Sequence, residues 1–316
     1  MSHMIELKNN LNIILNAIPP GSEIILLDTP LHLNVGDVLI YKGQLQFFKE
    51  HHIKIISEHS DKASKSFIVK NHRKIPRNAI IVLTGGGNFG DLYQHHQTLR
   101  ETVCKYLPNN KIVQLPQTAH FENQSKLLES SKIFRTHKDI VMFARDDSTF
   151  EIFSNYFSDN VYKCPDMAHA LYGIYPKQTK EMIKNNVMYM IRNDKEGSQQ
   201  DKKYASYVKE DWDTICNIND KNKLKKLLFL EKINRATGFN IFDIESNWNK
   251  YTDAMLVRIN NYFMSFDEVI TSRMHGHILC CLLEVKTKVI DNSYGKNRGY
   301  YDSWTKYVPN CELITN

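Results

Sequence analysis

The chain has 316 residues, 42% of them hydrophobic, and a net charge of +6 from 41 basic and 35 acidic side chains. That length suits about two domains of roughly 150 residues, and no apolar run approaches the ~20 residues needed to cross a bilayer. Ile5 to Pro20 mixes Glu6, Lys8 and several asparagines with its apolar positions, which excludes a secretion signal, and the scattered cysteines Cys104, Cys164, Cys216, Cys280, Cys281 and Cys311 form no CxxC pair and no zinc spacing, so a reducing cytoplasm and no metal are expected.

In chain order, Ile24–Leu27 is the first strand-like run. After it, His32-Leu33-Asn34-Val35-Gly36-Asp37 leads into helical spacing at Val38, Tyr41, Leu45 and Phe48, which predicts a helix over 38–50. Ala79-Ile80-Ile81-Val82-Leu83-Thr84 reads as a buried strand. It runs into Gly85-Gly86-Gly87-Asn88-Phe89-Gly90-Asp91, and Leu92, His96, Leu99, Val103 and Leu107 then predict a helix over 91–106. A glycine-rich turn at that point lets backbone approach a ligand. No acidic residue follows GGGNFG at the expected strand end, so it is a poor dinucleotide fingerprint. The adjacent pairs His51-His52 and His95-His96 point their rings in different directions on a helix and read as surface or packing residues.

Strands follow at Ile112–Leu115 and Ile140–Phe143, with helices at 122–135 and 148–157. Arg145 follows the second of these strands and is expected at the sheet edge facing a cleft; the alternative is a salt bridge with Asp146, Asp147 or another acid. In the second half, Val187–Ile191 is a strand ending at Arg192, Val269–Thr271 one ending at Arg273, and Thr287–Ile290 one ending at Asp291. Helical patterns cover 222–235 and 247–263, and the polar stretch 195–220 reads as a surface excursion. Alternating strands and helices argue for parallel sheets covered on both faces. Ligands bind such folds beyond the C-terminal strand ends. The boundary is placed near Pro165–Tyr175, giving domains 1–168 and 169–316: an α/β fold of two Rossmann-like domains facing a cleft.

Thr271-Ser272-Arg273-Met274-His275-Gly276-His277-Ile278 carries the chemistry. Thr271 and Ser272 are good N-cap residues, leaving Arg273 and His275 at the first helical turn. Free backbone N–H groups and the positive dipole end suit an anion there. Arg273 adds a fork of donors, and His275 trades protons near neutral pH. Lysines cluster at Lys221-Asn222-Lys223-Leu224-Lys225-Lys226 and around Lys177–Lys184. They read as a solvated basic face, or as attraction to an anionic membrane or a phosphorylated substrate. No aromatic residues interleave them as stacking platforms, which argues against nucleic acid.

Six blocks in order resemble the polysaccharide pyruvyl transferases. They are Asn34-Val35-Gly36-Asp37, Gly85–Asp91, Arg145-Asp146-Asp147-Ser148, Cys164-Pro165-Asp166-Met167-Ala168, Arg192-Asn193-Asp194-Lys195-Glu196 and Arg273–Ile278. The last continues into Val289-Ile290-Asp291-Asn292-Ser293-Tyr294-Gly295-Lys296. Ser272 and Met274 depart from the acidic residue and the leucine usual in that family. The resemblance implies a GT-B-like fold and transfer of a pyruvyl group from phosphoenolpyruvate onto two hydroxyls of a sugar, with release of phosphate and no further cofactor.

It carries Arg145 and Arg273 over as clamps on the donor and His275 as its acid/base partner, with the backbone N–H of Met274 on the phosphate. Gly86, Gly87 and Asn88 are expected to floor the cleft; the alternative is tight packing without ligand contact. Asp37 and Asp91 are expected as helix N-caps, or as acids that orient an acceptor hydroxyl or support His275. Asp194 and Lys195 fall on the acceptor side, and Asn292 lies beside the His275 turn. The expected partners are phosphoenolpyruvate and a sugar acceptor; a lipid-linked acceptor would bring the cytoplasmic chain to the membrane's inner face. A glycosyltransferase using a nucleotide sugar and a non-catalytic anion-binding protein are the other readings.

Overall fold

The computed structural model describes residues 2–182, 186–192, 203–204 and 207–314. The first sheet comprises β1 (Glu23–Thr29), β2 (Lys54–Ser60), β3 (Ile80–Leu83), β4 (Gly86–Gly90), β5 (Ile112–His120), β6 (Ile140–Ala144) and β7 (Val161–Lys163). The strands run in the order β2-β1-β3-β5-β6-β7, with β4 on the far end of β5, and all pairs are parallel. Successive side chains point to opposite faces. Ile25 and Leu27 of β1 therefore enter one apolar core while Ile24 and Leu26 enter another. Burial on both faces is why these strands read as continuous apolar runs.

Helices α1 (His3–Asn10), α2 (Val35–Glu50), α3 (Ser64–Asn71), α4 (Gln94–Tyr106), α5 (Gln124–Arg135) and α6 (Asp147–Ile152) surround this sheet. Tyr41, Phe47 and Phe48 of α2 close one core, and Leu99, Val103, Leu127 and Phe134 of α4 and α5 close the other.

The second sheet holds β8 (Val187–Met190), β9 (Lys209–Glu210), β10 (Glu268–Thr271), β11 (Lys286–Val289) and β12 (Cys311–Leu313). Its order is β12-β11-β10-β8-β9, again all parallel. Around it lie α7 (Trp212–Ile215), α8 (Ile218–Thr237), α9 (Ile244–Met264), α10 (Met274–Leu283) and α11 (Lys296–Tyr300). One apolar core joins α9 and α10 to Met4 and Leu7 of α1 and to Val35, Val38 and Leu39 of α2. Helix α2 thus packs on both halves of the chain, and its N-terminal turn is fixed against α10.

Two expectations need correction. The glycine-rich run is not a turn between strand and helix: Gly86–Gly90 is itself a short strand paired with Gln117–His120, the extension of β5. Nor is the end of 195–220 a surface excursion, since Trp212, Ile215, Cys216 and Asp220 are buried. Among the described residues no helix is long and apolar enough to cross a membrane.

Candidate active site

A cavity of about 650 Å³ opens beyond the C-terminal ends of strands from both sheets. Asn34 and Asp37 reach it from the β1 side, and Gly87 and Asn88 from β4. Arg192 follows β8, Asp211 follows β9, and Arg273, Met274 and His275 follow β10. Lys296, opening α11, completes the ring of cationic groups with Arg192 and Arg273.

Arg273 is itself the N-cap of α10, in extended backbone (φ −93°), with no side chain capping the helix. The expected caps serve elsewhere: Thr271 Oγ1 accepts from the Arg273 N–H at 2.9 Å, and Ser272 Oγ accepts from the Arg192 N–H at 3.0 Å. The first N–H groups of α10 are thereby left to the cavity side, which suits an anion. The Arg273 guanidinium is held in a bidentate pair by Asp211, Nε to Oδ1 at 2.8 Å and Nη2 to Oδ2 at 2.6 Å. Such a fork fixes the plane of the guanidinium as well as its position.

His275 Nε2 lies 3.2 Å from Asp166 Oδ2, and the same oxygen accepts from Arg145 Nη1. Asp166 is fully buried, and its Oδ1 caps the following turn through the Ala168 N–H at 2.9 Å. Burial works to raise this carboxyl, but the charges of His275 and Arg145 outweigh it and hold Asp166 well below the usual carboxylate range. Arg145 is also fully buried and donates to Thr118 Oγ1 at 3.1 and 3.3 Å. It does not face an open cleft as expected; its ion pair is with Asp166, and it lies beneath the glycine floor. A Cβ at Gly87 would stand 3.2 Å from Arg145 Nη2 and would collide with the Lys296 ammonium. Gly36 makes a second close approach, since a Cβ there would fall 2.8 Å from His275 Nδ1.

The remaining expected residues divide. Gly87, Asn88, Asp37 and Met274 line the cavity. Asp37 accepts from the Asn34 side chain at 2.8 Å, while Asn34, not Asp37, caps α2 by accepting from the Gly36 N–H. Gly86 is outside the lining. Asp91 neither caps α4 nor lines the cavity: its two oxygens accept from the N–H groups of Glu122 and Asn123 at 2.9 Å, fixing the chain into α5. Asn292 also lies off the cavity and accepts from the Lys296 N–H at 2.7 Å, which ties the loop after β11 to the start of α11. Asp194 and Lys195 lie outside the described residues.

Several site residues escaped the sequence reading. Asp211 hid in a polar stretch, where the isolated Trp212 was the one sign of burial. Asp166 lies in the Cys164–Ala168 block, where nothing local in sequence ties it to His275. The pair His95-His96 is the clearest correction. Both line the cavity, and their rings lie 3.8 Å apart rather than diverging. His96 is buried, with Nδ1 2.7 Å from Asp28 Oδ1.

On the far side of α10, His277, Cys281 and Cys311 bring ligand atoms within 4.8 Å of one another, a cluster that sequence spacing did not reveal. None of the three lines the cavity.

A sequence model of the polysaccharide pyruvyl transferases matches residues 34–294. A Bacillus subtilis protein named pyruvyl transferase EpsO is 39% identical over 312 residues, covering 98% of this chain and 94% of its own. Pyruvyl transferase 1 of Schizosaccharomyces pombe is 27% identical over 294 residues, covering 89% of this chain and 69% of its own. A crystal structure of a functionally uncharacterised Klebsiella pneumoniae protein superposes over the whole of both chains with a TM-score of 0.62 at 19% identity, which is a likeness of fold.

Proposed function

The chain belongs to the polysaccharide pyruvyl transferase family and is an enzyme of it, and we propose that its cavity binds phosphoenolpyruvate and joins the pyruvyl group to two hydroxyls of a sugar as a cyclic ketal. One observation carries this reading: the uncapped N-terminus of α10 brings Arg273 and His275 to the cavity together, with His275 set on Asp166.

The donor has a phosphate, a carboxylate and a carbon–carbon double bond. Arg273, Arg192, Lys296 and the N–H groups of α10 supply the positive potential for its two anionic groups. The ion-paired Arg145 supports this floor from below. C3 of the donor must gain a proton as C2 becomes electrophilic, and His275, at the start of the helix, is assigned that transfer. The reaction draws its driving force from the donor itself, so no cofactor is invoked.

We assign residues 1–168 and 169–316 to two Rossmann-like domains in a GT-B-like arrangement, a reading supported by two parallel sheets whose strand ends share one cavity. The acceptor is a precursor of a surface polysaccharide, and a lipid-linked form at the cytoplasmic face of the membrane would bring it near basic α8. There Lys221 lines the cavity while Lys225 and Lys226 are exposed.

The test is thermal unfolding with and without phosphoenolpyruvate, for wild type and Arg273→Ala. A ligand bound only to the folded state stabilises by about 2.7 kcal/mol at a hundredfold excess over Kd. A rise in wild type that disappears in the variant is expected. A rise with a nucleotide sugar and none with phosphoenolpyruvate would replace this reading with a glycosyltransferase.

A further inference from the structure

The cavity that His275 lines holds a second imidazole–carboxylate pair that the donor does not require. Asp28, the penultimate residue of β1, has φ +67°, a left-handed backbone that side chains other than asparagine and aspartate resist. Its N–H is anchored on Ser64 Oγ at 2.9 Å, and its Oδ1 meets His96 Nδ1 at 2.7 Å. Burial opposes the Asp28 charge, but His96, Arg100 and His95 outweigh it and hold the carboxyl below its ordinary value. Arg100 on α4 lies 3.5 Å from Asp28 Oδ2, and Asp61 and Lys62 line the cavity on the same side. With Nδ1 committed to Asp28, Nε2 is the His96 nitrogen that remains to meet a ligand.

Resting on the ketal-transfer reading above, we propose that His96 is the base that takes the proton from the attacking acceptor hydroxyl, with Asp28 positioning its ring. Two hydroxyl protons must leave the sugar in each turnover. As His275 protonates C3 of the donor, the first hydroxyl oxygen bonds to C2 and its proton passes to His96. The second hydroxyl oxygen then bonds to C2 as the bond from C2 to the phosphate oxygen breaks. Its proton restores His275, and His96 gives its own to the departing phosphate. One proton ends on the new methyl group, the other on phosphate, and both histidines return to their starting states. A single histidine would have to give a proton to C3 and take one from the attacking hydroxyl within one step.

His96→Ala and Asp28→Asn in the full chain test this, with asparagine chosen because it tolerates the left-handed backbone at position 28. The assay follows phosphate release from phosphoenolpyruvate, and ketal formation by mass, with a panel of nitrophenyl hexosides. Positioned acid–base groups contribute about 10²–10⁴-fold to rate. His96→Ala is expected to lose at least about a hundredfold in kcat, with KM for phosphoenolpyruvate within about threefold and the donor-induced thermal shift retained. Added imidazole should restore at least about tenfold of its rate, and Asp28→Asn should lose at least about tenfold in kcat at unchanged KM. A His96→Ala kcat within about fivefold of wild type overturns the proposal, as does loss of the donor-induced shift, which would make His96 a donor-holding residue. Wild-type turnover with an indifferent His96→Ala fails this pair alone. A wild type that neither binds phosphoenolpyruvate nor makes ketal fails the parent reading and this proposal with it.

Discussion

His275 Nε2 stands 3.2 Å from Asp166 Oδ2, although the two residues are 109 positions apart in the chain. The same oxygen carries the Arg145 guanidinium, so one enclosed carboxylate serves a buried cation and the proposed proton carrier together. Position 166 therefore governs both the electrostatics beneath the cavity floor and the orientation of the imidazole.

Asp166→Asn should be costly in two ways. Removing one partner of a buried ion pair costs about 3–5 kcal/mol, because the other charge stays buried. Urea unfolding at pH 7 is expected to show that loss, and ketal formation should fall by about a hundredfold in the fraction that stays folded. The acid limb supplies the sign. The folded pKa of Asp166 is depressed, so its contribution is full above the unfolded value of about 3.9 and is lost as pH falls through the folded one. Wild-type stability should decline below about pH 4, and the variant's decline should be shallower there. Equal slopes would remove Asp166 from this account.

Arg273→Lys keeps the charge and removes the fork. A lysine ammonium cannot reproduce two parallel donors to Asp211, and its position is no longer fixed by that carboxylate. KM for phosphoenolpyruvate should rise about tenfold or more, with a smaller effect on the unfolding midpoint. An unchanged KM would show that charge alone suffices.

Much of the site was legible because its residues sit at strand ends, and strand ends were readable from runs such as Ile80–Leu83 and Glu268–Thr271. The Arg273-to-His275 turn was local in sequence and was found. The supports were not, because they depend on long-range packing: Asp166 reaches His275, and Asp211 reaches Arg273, only after both sheets form. Gly86–Gly90 misled because glycine disfavours strands in general, while here the extended end of β5 supplies a partner edge. His96 misled for a different reason. Helical spacing placed it correctly on the buried face of α4, but no pattern in the chain says that Asp28, 68 residues earlier, lies beside it near the end of β1.

At the start of α9, half-buried Glu245 faces Glu58 and Glu231, and burial first, then those neighbouring acids, pushes its carboxyl up to about 7 from an ordinary 4.5. A raised folded value for an acid means that stability falls as pH climbs from about 4.5 to 7. Glu245→Gln should therefore match wild type near pH 4 and exceed it at pH 8. One pKa unit corresponds to 1.36 kcal/mol, and since the group reaches solvent the expected gain is ~1–2 kcal/mol. Thermal melts at the two pH values check it, and a gain of equal size at both would point to packing rather than charge.

Gly36→Ala separates folding from chemistry in one substitution. Gly36 lies in the first turn of α2, where alanine is the better helix former by up to about 1 kcal/mol. The added Cβ would nevertheless fall 2.8 Å from His275 Nδ1 and 2.9 Å from both Cβ and Cγ of His275. Contact at the root of the side chain leaves the ring no torsion by which to evade it, so the imidazole must shift as a whole away from Asp166. The melting temperature should then change by only a few degrees, while ketal formation falls by about a hundredfold, the cost of a misplaced reacting group. A normal rate in the alanine variant would mean that α2 yields instead of His275, and that the fixed seam between α2 and α10 does not set the imidazole's position.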